Sequence, residues 1–292
     1  MIKKICIVGF GSIGKKHYSI IKKIFKKADI YVISKHLKKK NKVFNKITDI
    51  LNINPDYIII SSITKNHLND LKYIDSIFSK KIILIEKPLF TKFINFSSNR
   101  NKILVAYNLR FHPIIQFIKN KISNKKIIEA NIYSGSYLPS WRKGNYVNSY
   151  SASKTKGGGV KLDLSHELDY CRYLLGDYKI NYYLNKKISN LKINSDDYLV
   201  IIGTTKKNAY INICLNYFSR IKIRKIILNG NNFSLCADLI NNTINIYENN
   251  KIIKKIFSKN SLMESYEAMH KSIFLKNYKI HSKLDDSLKL MK

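Results

Sequence analysis

Five short apolar runs punctuate the first hundred residues: Ile5–Val8, Ile30–Ile33, Asp56–Ile60 behind its leading acid, Ile82–Ile85 and Ile103–Ala106. None alternates with polar residues, as expected of parallel strands buried on both faces. Stretches of helical period lie between them, Lys15–Lys27 after the first run and Leu68, Leu71, Ile74 and Phe78 after the third. Strands and helices alternating at this pitch predict βαβ units and a doubly wound parallel sheet.

Beyond Pro113 the pattern changes. A strand at Ile127–Tyr133 enters a polar, aromatic segment, Ser134–Lys156, which ends in Gly157-Gly158-Gly159. One helix is predicted from Leu162 to Leu175, stopped by Gly176. Short β-rich runs follow at 198–202, 209–215, 221–228, 233–236 and 243–247, with Asn229-Gly230 and Asn241-Asn242 as turns. A last helix runs from Leu262 to Leu275. The expected fold class is α/β: a Rossmann domain over residues 1–113, then an α+β domain over 114–292 with a large open antiparallel or mixed sheet. The sheet domain itself looks short, which would pare down or alter its interface.

Composition narrows the class. A chain of 292 residues, 45% hydrophobic and 25% charged, buries its own cores without covalent staples. Its four cysteines form no C-x-x-C pair, which argues against a zinc ribbon or disulfide framework and fits a reducing cytoplasm. No metal site is expected. No apolar run reaches the roughly 18 residues of a membrane span. The N-terminal run is broken by glycines from Gly9 and leads to Lys15-Lys16 rather than a cleavage site. A soluble cytoplasmic protein with no membrane partner is expected.

Charge changes the picture less than its size implies. Of 53 basic residues against 19 acidic, only six are arginine, and the lysines are scattered among Asn and Ile as A/T-rich coding would place them. Arginine is the side chain suited to bidentate phosphate and base-edge contacts. Lys38-Lys39-Lys40, the tightest cluster, reads as a solvated loop. Nucleic acid is therefore not an expected partner, and the net +34 is left as a general attraction for anionic substrates.

Candidate chemistry begins with Gly9-Phe10-Gly11-Ser12-Ile13-Gly14, directly after a strand and opening a helix. Gly9 permits the tight turn, Gly11 lets backbone approach a pyrophosphate, and Gly14 allows close packing of helix on strand. The helix N-terminus then presents unpaired N–H groups to the phosphates. A carboxylate ending the second strand would bind the ribose diol of NAD. That strand instead ends Ile33-Ser34-Lys35-His36, where Ser34 and Lys35 suit a 2′-phosphate. NADP is thus preferred over NAD, unless the strand is misregistered by a residue or two.

Glu86-Lys87-Pro88 ends a buried strand, where open α/β sheets bind ligands. Lys87 there could donate to a substrate hydroxyl or stabilise an alkoxide, or simply be an exposed loop lysine. Asp163 and His166, three apart on the predicted helix, would share a face. A histidine beside a carboxylate is a candidate proton acceptor near neutral pH. The bland alternative is a helix-capping aspartate and a hydrogen-bonded histidine. The triple glycine upstream would let backbone approach a ring or sugar. Trp141 beside Arg142 and several tyrosines suits a sugar face carrying an anionic group, by stacking and bidentate contact, or else a loop packed on a domain edge or subunit interface.

Five motifs in order carry a resemblance: the glycine fingerprint; Thr64-x-Asn66-His67; Glu86-Lys87-Pro88; Tyr107-Asn108-Leu109-Arg110-Phe111-His112-Pro113; and Gly157 through Asp169. Together they resemble the Gfo/Idh/MocA dehydrogenases. The resemblance implies a Rossmann domain, an open-faced sheet domain making homodimer or homotetramer contacts, and an active site between the domains. It implies that Lys87 contacts the reacting hydroxyl and helps hold the nicotinamide, that His166 is the general base, and that Asp163 binds substrate and orients the relay. Ser62, Thr64, Asn66, His67, Glu86 and Asn108 join the glycine loop as cofactor residues, and Arg110 and Tyr146 join the substrate side. The implied reaction is reversible hydride transfer between a nicotinamide and a secondary alcohol. The 137–152 segment is similar to a branch found in surface-polysaccharide and nonulosonic-acid gene clusters, which makes a sugar or sugar nucleotide the expected substrate. Two other readings compete: a non-catalytic NAD(P)-binding sensor, and a nucleic-acid binder resting on charge alone.

Overall fold

A computed structural model describes residues 2–141 and 143–292. Its first part alternates as the apolar runs require. In order come β1 (Lys4–Val8), α1 (Ser12–Ile24), β2 (Asp29–Ile33), β3 (Val43–Phe44), α2 (Ile50–Ile53), β4 (Tyr57–Ile60), α3 (His67–Ile77), β5 (Ile82–Ile85) and β6 (Lys102–Val105). All pair in parallel, in the order β6-β5-β4-β1-β2-β3. Ile5, Ile7, Ile58, Ile59, Ile83 and Leu84 have no accessible surface, because helices cover both faces of a parallel sheet.

The second part opens with α4 (Pro113–Lys121) and β7 (Ile127–Gly135). After three single 3-10 turns within 138–156 come α5 (Val160–Asp163) and α6 (Ser165–Leu175). The sheet is completed by β8 (Tyr178–Lys186), β9 (Tyr198–Thr205), β10 (Tyr210–Asn216), β11 (Ile223–Gly230), β12 (Phe233–Asp238), β13 (Thr243–Glu248) and β14 (Lys251–Ile256). The order is β14-β13-β12-β11-β7-β10-β9-β8, antiparallel except where β7 and β10 run parallel. Eight strands make it the large sheet expected. Both terminal strands escape the sequence pattern: β8 and β14 lie at the edges and bury no residue, so no buried face marks them.

The chain ends with α7 (Ser261–Phe274), β15 (Ser282–Lys283) and α8 (Leu284–Lys289). Two compact units result, Met1–Asn108 with Tyr266–Lys292, and Leu109–Ser265. The expected boundary at Pro113 lies close to Asn108, but the last residues group with the first unit: β15 adds an antiparallel edge to β6, and Phe274 stacks on Phe25 with ring centroids 3.3 Å apart. Among the described residues, no helix is long and apolar enough to cross a membrane.

The helix predicted from Leu162 to Leu175 is two helices. Leu164, at φ −99° and ψ 29°, breaks it between Asp163 and His166. The premise that these two residues share a face of one continuous helix is therefore corrected.

Candidate functional site

In the first unit the strand registers gather the predicted cofactor residues at one edge. Val8 pairs with both Ile33 and Ile60, Ile60 with Ile85, and Ile85 with Val105. Gly9, Ser34, Ser61, Glu86 and Ala106 consequently all follow carboxyl ends. The strand order reverses at β1, the point where open α/β sheets leave a crevice.

Each fingerprint glycine meets a different physical demand. Gly9 has φ +92°, and a Cβ on it would lie 2.5 Å from the Ser62 nitrogen. On Gly14 a Cβ would lie 2.3 Å from the Gly9 carbonyl oxygen and 2.9 Å from Ser61 Oγ. Gly11 differs: a Cβ there meets nothing within 4 Å, and this exposed residue caps α1, which has no acid in its first turn. Two glycines serve the protein's own packing, while the third faces open space at a positively polarised helix end. This donor set fits a dinucleotide pyrophosphate.

Thr64 and Asn66 bound a 3-10 turn entering α3, and Asn108 is buried just past β6. His67 is buried, with Nδ1 3.1 Å from the Pro88 carbonyl oxygen and Nε2 3.0 Å from that of Ser62. Burial pulls its pKa down, against the pull of these carbonyls. Its ring ties the end of β4 to the segment after Lys87, which is a positioning task. Lys35 is exposed, and no carboxylate ends β2. The nearby acid is Asp70 on α3, which accepts from Ser62 Oγ at 2.6 Å and whose pKa burial raises.

Behind Lys87 runs a buried chain that the sequence did not announce. Tyr57 Oη lies 3.0 Å from His270 Nδ1, His270 Nε2 2.9 Å from His17 Nδ1, and His17 Nε2 2.9 Å from Glu86 Oε1. Glu86 Oε2 accepts the backbone N–H of Lys87 at 3.1 Å. Burial and the neighbouring His17 and His281 drive the His270 pKa well below the usual value, so its ring is neutral. With Glu86 as a carboxylate at one end, the donors all point one way: Tyr57 to His270, His270 to His17, His17 to Glu86.

The second unit holds the predicted substrate residues. Asp163 is buried, and its Oδ2 accepts from Tyr217 Oη at 2.5 Å. Trp141 meets the Tyr217 ring edge-on at 5.1 Å and donates Nε1–H to Ser136 Oγ. Asp163, Tyr217 and Trp141 are therefore brought together. His166 is buried in the first turn of α6. Tyr146 accepts the Lys192 N–H through its hydroxyl. Arg142 lies outside the described residues.

Two expectations change here. Arg110 is buried, and its Nε and Nη2 each donate at 2.8 Å to Asp169, so its fork is committed to a structural ion pair rather than to substrate. Gly158 and Gly159 serve the protein's own packing rather than ligand approach. A Cβ on Gly158 would lie 2.1 Å from the Tyr150 carbonyl oxygen, and one on Gly159, at φ +128°, 2.2 Å from Asp196 Oδ1. Asp196 accepts the Lys161 N–H through Oδ2 and the Val160 N–H through its carbonyl, holding the start of α5. Tyr217 and Asp196 were missed because they reach α5 from distant loops. His17 had a signal, its place on the buried face of α1 three residues after Gly14.

A family model described as "Oxidoreductase family, C-terminal alpha/beta domain" of Gfo/Idh/MocA proteins matches residues 119–276, more than half of the chain. The chain belongs to the Gfo/Idh/MocA oxidoreductase family. The match includes the sheet strands, which lie outside the sequence motifs. No curated protein matches the sequence. Solved structures share this family member's fold at low identity. An oxidoreductase from Agrobacterium radiobacter, in complex with NAD+, L-tartaric acid and magnesium, has a TM-score of 0.81 and 15% identity, covering 100% of this chain and 94% of its own. UDP-N-acetylglucosamine 3-dehydrogenase GnnA from Acidithiobacillus ferrooxidans has a TM-score of 0.79 and 15% identity, covering 100% and 95%. A super-repressor mutant of Gal80p from Saccharomyces cerevisiae has a TM-score of 0.81 and 14% identity, covering 100% and 93%.

Proposed function

We propose that this family member is a cytoplasmic NAD(P)-dependent dehydrogenase or reductase interconverting a secondary alcohol and ketone of a sugar or sugar nucleotide, in surface-glycan biosynthesis. The observation that carries the reading is Gly11, open to space at the head of α1 between two glycines closed against protein. The Gly9–Gly14 loop holds the pyrophosphate, and Ser34 and Lys35 favour the 2′-phosphate of NADPH. Ser62, Thr64, Asn66 and Asn108 line the cofactor's path, with His67 and Glu86 holding the loops around it. The NAD+ complex of the Agrobacterium neighbour and the sugar-nucleotide substrate of GnnA support the cofactor and substrate classes.

When bound, the nicotinamide supplies hydride transfer. Lys87 donates to the substrate hydroxyl and stabilises negative charge on its oxygen. His166 takes the hydroxyl proton, and Asp163 binds and orients the sugar, held by the Tyr217 hydroxyl. Trp141 offers a stacking surface beside it. The sheet's open face, where Ile202, Tyr210, Ile227 and Tyr247 are exposed, supports self-association as a homodimer or homotetramer.

The test begins with fluorescence titration of NADPH and NADH. Saturable binding of NADPH, tighter than NADH, is expected, and no binding of either ends the reading. Lys87→Ala and His166→Ala should each lower turnover by about 100-fold or more, and the double variant by much less than the product. The likeness to the Gal80p super-repressor favours a second reading, a cofactor sensor. That reading predicts cofactor binding with no turnover on any sugar.

A further inference from the structure

We propose that Arg220 recognises an anionic group on the substrate, the carboxylate of an acidic sugar or the phosphate of a sugar nucleotide. The inference deepens the reading above and rests on its placement of substrate beside Asp163 and Trp141. Arginine is scarce here, six residues among 53 basic ones, and the described arginines are otherwise committed. Arg110 binds Asp169, Arg172 binds Asp177, Arg224 binds Glu167, and Arg100 donates to the Ser76 and Phe78 carbonyls. Among the described residues, Arg220 has no hydrogen-bond acceptor and no ion-pair partner.

Its guanidinium is nevertheless held. It lies over the Tyr137 ring, 3.6 Å from the centroid, with one face covered and its N–H edge left for a ligand. The supporting loop is built for this register. Asn216 Oδ1 accepts the Phe218 and Ser219 N–H groups, and the Tyr217 carbonyl accepts the Leu138 N–H at 2.8 Å. At Gly135 a Cβ would lie 2.9 Å from both Asn216 Nδ2 and Ser219 Cβ, so glycine lets the loop close on β7. The same loop carries Tyr217, which holds Asp163 and packs on Trp141. A fork already ordered loses little entropy when a planar or tetrahedral oxyanion takes two of its N–H groups. The surrounding lysines supply a diffuse field but no such geometry.

Trp141 is the chain's only tryptophan, so its emission reports on this wall. The full chain is titrated at fixed ionic strength with UDP, glucuronate and glucose. A saturable change with UDP or with glucuronate, and none with glucose, is expected, and whichever anion responds identifies the source of the charge. Arg220→Lys, which keeps the charge and loses the fork, should weaken that binding about tenfold, and Arg220→Gln about 100-fold. NADPH binding by both variants should match the wild type, which separates this site from the cofactor reading. Equal anion affinity in wild type and Arg220→Gln, binding of glucose as tight as that of the anions, or no response to either anion overturns the proposal. Loss of NADPH binding in the wild type would instead end the dehydrogenase reading.

Discussion

His17 Nε2 lies 2.9 Å from Glu86 Oε1, both groups buried, and this bond joins the helix behind the glycine loop to the residue before Lys87. A buried carboxylate is tolerated only while its hydrogen bonds are made. The chain through His270 to Tyr57 orients His17 so that an N–H always faces Glu86.

Losses should therefore grow toward the carboxylate. Tyr57→Phe removes only the terminal donor and should cost about 1 kcal/mol. His17→Leu strands the Glu86 charge and should cost about 3–5 kcal/mol. Urea unfolding of the two variants checks the order, and equal costs would show that the groups act independently.

The three fingerprint glycines should separate in one experiment. Gly9→Ala and Gly14→Ala drive a methyl into backbone and should destabilise the fold by several kcal/mol. Gly11→Ala has room, so the melting temperature should change little while nicotinamide-cofactor affinity falls about tenfold or more. Thermal melts beside cofactor titrations decide it.

Tyr217→Phe takes from Asp163 its 2.5 Å donor while keeping the ring against Trp141. Turnover should fall about tenfold with cofactor affinity unchanged. A pure loss of stability with normal kcat would make Tyr217 a core residue only.

His112 caps α4 by accepting the Ile114 N–H on Nδ1, which requires a neutral ring. Burial, aided by Arg224, lowers its pKa from 6.5 to about 4. Because the folded value is the lower one, the unfolded chain binds the extra proton between these values. Stability is thus fully present above pH 6.5 and is lost as pH falls toward 4, by up to about 3 kcal/mol from this group. His112→Asn keeps a capping oxygen without titrating, so its unfolding free energy should fall less steeply between pH 6.5 and pH 4. An unchanged slope would exclude His112 as a source of acid lability.

Local features were legible in the order of residues alone. Unbroken apolar runs marked the parallel strands other than β3, whose two residues are too few to form one, because burial on both faces leaves no room for alternation, and three glycines at set spacing marked the turn into α1. Edge strands β8 and β14, exposed on both sides, left no such trace. The break at Leu164 and the committed fork of Arg110 depend on partners far along the chain, and no local pattern encodes them. The same holds for Tyr217 on Asp163 and His270 on His17, separated by 54 and 253 residues, whose hydrogen bonds exist only once distant segments have packed. Periodicity reports which face of an element is buried. Tertiary packing alone decides which polar atom meets which, because a hydrogen bond is set by distance and direction in space and not by separation along the chain.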